Sequence, residues 1–346
     1  MVGLPGSASV APTLDAYDLA PPVDLSPLSG GTNNPVLLVR TGAGEFVWKG
    51  YATHADPEPI RYEHRLLGWL AGRGLSFAVP APVPARDGET LCPAPGGWQA
   101  LFVRLPGSRP NSRDPAQIEL LGTALGELHA ALAAHPHTPR PGGVQYGDLD
   151  RIHRCVPDPY ALTPTALGLP DAPPYAALLG WWREELARVR AFADGPYRAL
   201  PWQVIHGDLA IGNFLTLDGR VTAILDFEFA GLDARALDLA AGLKYTMRIW
   251  ENLEPLVMAR AFCRGYARRA ALTADEVEAL PWLLRLRDAT SSVWWLGRAL
   301  AAGDARPGLE RIEDMQATAR WLIEHEHRLL DITRESLRLK GDASDG

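Results

Sequence analysis

Cysteine is scarce in this chain. Its three copies, Cys92, Cys155 and Cys263, lie too far apart for the close pairs that zinc ribbons and redox motifs use, so they read as reduced, structural thiols. Long apolar runs are also missing. No stretch approaches the ~20 residues that span a bilayer, and the N-terminal segment has neither the basic start nor the apolar body of a secretion signal. No membrane partner is expected, and a cytoplasmic location is. Lys and Arg never cluster and the formal net charge is −7. A nucleic-acid backbone or an anionic membrane surface therefore finds no basic track to follow. What is present is the balance of an ordinary globular protein, 47% hydrophobic and 22% charged. At 346 residues the chain exceeds the usual size of one core, which favours two lobes.

Residues 1–28 are rich in Pro, Ala and Ser without periodicity and read as a flexible arm that carries no chemistry. Residues 29–105 follow as a first lobe. Pro35–Arg40 and Glu45–Lys49 flank a Gly-containing turn as two strands of a hairpin. Asp56-Pro57 opens a helix through Glu63 to about Ala71, and strand-like stretches lie near Leu91 and from Trp98 to Leu105. Pro106-Gly107 marks the lobe boundary, and residues 106–346 form the second lobe. There Asp114-Pro115 opens a helix to about Ala134, and residues 135–175 are crowded with Pro and Gly. A helix returns from about Ala176 to Phe192, short strands fill 202–226, and helices dominate from 236, with Thr273 and Glu276 as a capping box. The expected class is α+β: a small antiparallel-sheet lobe and a larger, mostly helical one.

The densest chemistry lies in His206-Gly207-Asp208-Leu209-Ala210-Ile211-Gly212-Asn213, followed by Ala223-Ile224-Leu225-Asp226-Phe227. Three oxygen-bearing side chains stand at the ends of short apolar strands, where rigid backbone can aim them together. Magnesium prefers hard oxygen ligands completed by phosphate and water, which Asn213 and Asp226 supply beside a nucleoside triphosphate. Asp208 then remains to orient an acceptor hydroxyl and take its proton, which is all the base chemistry that phosphoryl transfer asks for. Separately, Gly30, Gly31, Thr32 and Asn33 precede the first strand. They suit either a backbone cover over phosphates or a plain turn.

The run from His206 to Asn213 and the Asp226-Phe227 pair resemble the catalytic loop and metal motif of the protein-kinase-like fold. Gly207 stands where protein kinases carry Arg, no A-P-E segment follows, and Asp226 lies close to Ala236-Leu237-Asp238-Leu239-Ala240. In these respects the chain resembles the aminoglycoside phosphotransferase family, which includes choline kinases and type II homoserine kinases. The resemblance implies a two-lobed fold, ATP or GTP as donor, magnesium, and a small-molecule hydroxyl acceptor. It implies that Lys49 grips the α and β phosphates with Glu63 as its ion-pair partner. It also implies that Val103 and Leu105 belong to the hinge that pairs with adenine. Asp238 would brace the catalytic loop, and His206 and His129 would be structural.

The acceptor pocket is less legible. Lys244, Tyr245, Arg248, Trp250 and Glu251 are candidates, though aromatic residues at helical spacing also serve as core. Lys244 and Arg248 would suit an amino-acid acceptor such as homoserine, whereas acidic residues such as Glu251 would suit an aminoglycoside or amino alcohol. A nucleotide-binding pseudokinase acting as an interaction module is the alternative; such proteins lose the base, a metal ligand or the lysine, and none is missing here. Oligomeric state stays open between monomer and homodimer.

Overall fold

The computed structural model of the protein describes residues 10, 14–21, 23–28, 34–51, 56–94, 97–249, 251 and 254–337. Strands β1 (Val23–Pro27), β2 (Val36–Thr41), β3 (Gly44–Tyr51), β4 (Cys92–Ala94) and β5 (Gly97–Val103) form an antiparallel sheet in the order β1-β2-β3-β5-β4. Side chains alternate between faces, so Leu37, Val39, Trp48 and Leu101 meet in one core, joined there by Leu14 and Tyr17. The reading of residues 1–28 as a flexible arm is corrected on this point. Tyr17 is buried against Cys92, and β1 pairs with β2 from Val23↔Thr41 to Pro27↔Leu37. Proline hid the strand from view, yet β1 is an edge strand, and an edge tolerates proline.

Helix α1 (Glu58–Ala71) begins where Asp56 Oδ1 accepts from the Glu58 N–H at 3.0 Å, and its apolar stripe buries Ile60, Leu66, Leu67 and Leu70. The same stripe carries Glu63 inward. Strands β7 (Phe214–Leu217) and β8 (Arg220–Ile224) form a hairpin whose turn residues Asp218 and Gly219 both take positive φ, as a type I′ turn requires. Residues far upstream hold this hairpin. Ala78 N–H donates to Thr222 O at 2.9 Å, Ile224 N–H to Ala78 O at 3.1 Å, and Ser108 and Thr216 exchange backbone bonds. Gly107 sits at φ +125°, where a Cβ would stand 2.7 Å from Thr222 Oγ1, so glycine is required. Residues Gly212–Ala230 accordingly fall in one compact unit with Met1–Pro110 and Arg140–Gly142.

A second compact unit comprises Asn111–Pro139, Gly143–Ile211 and Gly231–Gly346. Strand β6 (Trp202–Ile205) pairs antiparallel with β9 (Gly231–Ala234), and helices supply the rest: α2 (Pro115–Leu132), α3 (Pro173–Asp194), α4 (Pro196–Ala199), α5 (Ala236–Met247), α6 (Pro255–Tyr266), α7 (Ala274–Ala301) and α8 (Arg306–Ser336). Asp114 caps α2 by accepting from Ala116 N–H, and Thr273 with Glu276 forms the full capping box of α7. Helix α2 lies directly against α6 at glycines: a Cβ on Gly265 would come 1.9 Å from Glu119 O. Among the described residues no helix is long and apolar enough to cross a membrane.

Candidate active site

In the second unit, β6 is buried and delivers its chain directly into His206-Gly207-Asp208. Asp238, in the first turn of α5, accepts from the His206 N–H at 2.6 Å and from the Gly207 N–H at 2.8 Å. Gly207 takes φ +82°, a conformation that side chains oppose, which accounts for glycine where protein kinases carry arginine. Asp238 is itself held by His129 Nε2 at 3.3 Å, and the other ring nitrogen of His129 meets Tyr266 Oη at 3.0 Å. Burial pushes the Asp238 carboxyl up, but His129, His206 and the loop N–H groups outweigh it and hold the group below the usual carboxylate range. Tyr146 completes the brace. Its hydroxyl donates to Gly207 O, its N–H donates to Asp233 at 3.1 Å, and its carbonyl accepts from Thr290 Oγ1 at 3.0 Å.

This scaffold presents Asp208, whose side chain is 27% exposed and whose Oδ1 accepts from Arg287 Nη2 at 2.7 Å. The Asp208 N–H donates to His206 Nδ1 at 3.2 Å, so the buried histidine orients the loop. Arg287 stands on α7, 9% exposed, with its guanidinium 5.4 Å from the Tyr146 ring and 6.0 Å from the Tyr245 ring.

In the first unit, Lys49 on β3 gathers three carboxylates. Its Nζ lies 2.9 Å from Asp226 Oδ1, 3.1 Å from Glu228 Oε2 and 3.9 Å from Glu63 Oε1. Burial pulls the ammonium down, but Asp226, Glu228 and Glu63 together hold it well above the ordinary lysine value. Burial also pushes Glu63 up to about 7, against the pull of Lys49. Tyr51 Oη donates to Glu63 at 3.3 Å, and Asn34 Nδ2 donates to Glu228.

Asp226 follows β8 with φ +65°, a left-handed conformation that an aspartate tolerates better than most residues. The Leu225 N–H donates to Asn213 O at 2.7 Å, continuing the Phe214↔Ile224 pairing, so Asn213 and Asp226 share the open end of the β7–β8 hairpin. An amide oxygen and a part-exposed carboxylate are the hard donors that magnesium takes alongside phosphate and water. The residues fit that ion.

The other expected residues divide. Lys244 forms a buried ion pair with Asp288, and Tyr245 Oη lies 3.5 Å from Arg287 Nη2, so both border the Asp208 cluster. Arg248 instead bonds Glu251 and, at 3.2 Å, Ser112 Oγ, which engages the two candidates with one another. In the stretch expected to form the hinge, the Val103 N–H donates to Ala81 O at 3.1 Å, and Leu105 is half-buried just beyond the strand. Gly30, Gly31, Thr32, Asn33 and Trp250 lie outside the described residues. Glu228, Arg287 and Asp288 had no place in the sequence-based expectations: Glu228 stands two places after Asp226, and Arg287-Asp288 is a charged pair buried in α7.

The model of the phosphotransferase enzyme family matches residues 24–272. The homoserine kinase of Azorhizobium caulinodans is 32% identical over 279 residues, spanning 81% of this chain and 82% of that protein. The homoserine kinase of Acidiphilium cryptum is 30% identical over 277 residues, spanning 80% and 82%. Among solved structures, the microcompartment-associated aminopropanol kinase superposes with a TM-score of 0.68 at 20% identity, covering 93% of this chain and 100% of that one. An amicoumacin kinase in complex with AMP-PNP and Ca2+ gives 0.67 at 16% identity, covering 90% and 94%. At such identities the superpositions speak for the fold, which is the two-lobed, protein-kinase-like one.

Proposed function

The chain belongs to the phosphotransferase enzyme family, and from that premise we propose that it transfers the γ-phosphoryl group of ATP, with magnesium, to the side-chain hydroxyl of a small hydroxy amino acid of the homoserine type. It is a small-molecule kinase with an alcohol as acceptor. The observation that carries the chemistry is the loop pinned by Asp238, which holds Asp208 part-exposed on a rigid support. Asp208 takes the hydroxyl proton while the acceptor oxygen bonds to the γ-phosphorus, and the bond from that phosphorus to the β–γ bridging oxygen breaks, releasing ADP. Lys49 binds the α and β phosphates, with Glu63 and Glu228 fixing its ammonium. Asn213 and Asp226 would hold the magnesium, which would neutralise charge on the phosphates.

Nothing in the comparisons favours a silent pseudokinase, and the base, lysine and metal-binding residues are all present. The choice of acceptor follows the relatives' names at 29–32% identity over about four-fifths of the chain. The test measures ADP release with ATP, magnesium and, in turn, L-homoserine, an aminoglycoside, choline and a generic protein. ADP release stimulated by L-homoserine is expected. Stimulation by the protein alone would contradict the reading.

A further inference from the structure

Arg287 is unusual for a buried cation in this unit. Lys244 pairs with Asp288, though burial and the nearby Arg287 charge pull its ammonium down to about 7, and Arg235 pairs with Glu276 through two bonds of 2.7 Å. Arg287 makes one bond of 2.7 Å to Asp208 and a long one of 3.5 Å to Tyr245, both through Nη2, and its buried Nε has no hydrogen-bond partner among the described residues. A guanidinium offers five N–H donors in a planar fork that matches a carboxylate edge-on. The Nε side of that fork is unused.

The partner of Arg287 is also the group that must receive a proton. Once the acceptor hydroxyl has given its proton to Asp208, the carboxylate is neutral and a buried guanidinium is left without a counter-charge, a costly arrangement. An acceptor that brings its own anion removes this penalty. A neutral or cationic acceptor does not, and a cationic one adds repulsion. A base must lie within hydrogen-bond reach of the hydroxyl it deprotonates, and Asp208 is one hydrogen bond from Arg287, so a short aliphatic hydroxy acid would span both.

We infer that Arg287 recognises a carboxylate on the acceptor, and that this carboxylate draws the guanidinium off Asp208 Oδ1 as the hydroxyl arrives. The inference rests on the proposed kinase reaction and names the chemical class that the same site selects. Tyr146 and Tyr245 flank the guanidinium and confine its movement.

The experiment compares L-homoserine with 4-hydroxybutanoate, which keeps the carboxylate, and 3-aminopropan-1-ol, which has lost it. Phosphate transfer from ATP with magnesium is measured for the natural protein, Arg287→Met and Arg287→Lys. In the natural protein kcat/KM for the two carboxylate acceptors should exceed that for 3-aminopropan-1-ol by about 100-fold or more, because a site built to pair a charged group rejects an analogue that lacks it. Arg287→Met should remove most of that ratio, Arg287→Lys should restore part of it, and the KM for ATP should stay within about threefold, as expected of a group that binds the acceptor. A natural protein that uses 3-aminopropan-1-ol as well as L-homoserine overturns the inference while leaving the kinase reaction intact, and does so even if the variants fail to fold. A rise confined to the KM for ATP would assign Arg287 to a nucleotide phosphate and overturn it too. Transfer to no small hydroxyl compound at all would remove the kinase reading and the inference together.

Discussion

At the scale of single residues, two carboxylates are held in opposite ways. Asp208 is presented part-exposed by a loop whose N–H groups are fixed elsewhere, with Arg287 on its Oδ1, and the proposed reaction uses this carboxylate as the base. Asp208→Asn should leave magnesium-dependent nucleotide binding in place and lower phosphoryl transfer by about 100-fold or more, read by calorimetry and by ADP release. Equal turnover would remove Asp208 from the base role. Glu63 is buried instead, and burial raises its carboxyl from 4.5 to about 7. A raised carboxyl stabilises the folded chain fully below pH 4.5, and that contribution is lost as pH rises through about 7. The displacement corresponds to roughly 3 kcal/mol. Glu63→Gln should therefore gain about that much relative to the natural protein between the two ends of the window, measured as the pH dependence of the difference in unfolding free energy. A difference that does not vary with pH would mean that Glu63 is ionised throughout.

At the scale of elements, the catalytic loop depends on how closely two helices approach. Gly122 and Gly126 on α2 face Phe262 and Tyr266 on α6, and Gly265 on α6 faces Glu119 on α2. His129 and Tyr266, which brace Asp238, lie on this same pair of helices. Gly265→Ala places a methyl group where the backbone of α2 already stands, so the helices must part, at a cost of about 3 kcal/mol. The variant should melt several degrees lower, and the transfer rate of the fraction still folded should fall, because His129 shifts with α2. A melting temperature unchanged by the added methyl would show that the helices separate freely.

The loop from His206 to Asn213 was legible from its own local spacing, whereas the brace by Asp238, which bonds His206 and Gly207, was implied by the family resemblance. The close approach of α2 to α6 at Gly122, Gly126 and Gly265 was not legible, because it depends on which helix packs against which. That information is non-local, as are the burial of Glu228 beside Lys49 and of Arg287 beside Asp208, which join residues 179 and 79 positions apart.

At the scale of the whole molecule, the two compact units were legible as a sheet-rich and a helix-rich part, and the finer divisions were not. The β7–β8 hairpin packs with residues more than 100 positions upstream, through Pro106 and Ser108, which no periodicity announces. The N-terminal stretch looked unstructured by composition, yet Tyr17 is buried and β1 completes the sheet edge, because a few apolar side chains suffice when a sheet is there to receive them. Arg248 and Glu251, which suited an acceptor by type, bond one another, and the proposed recognition falls to Arg287 on α7.

The proposed function is one transfer, from a nucleotide that Lys49, Asn213 and Asp226 would hold to a hydroxyl that Asp208 would deprotonate. The most direct test follows the phosphorus. The protein is incubated with ATP, magnesium and L-homoserine, and the products are resolved by phosphorus NMR. A phosphate monoester on the side-chain oxygen of homoserine, formed in step with ADP and absent with Asp208→Asn, is the predicted result. ADP accompanied only by inorganic phosphate, across homoserine and the wider panel of hydroxyl compounds, would contradict the account.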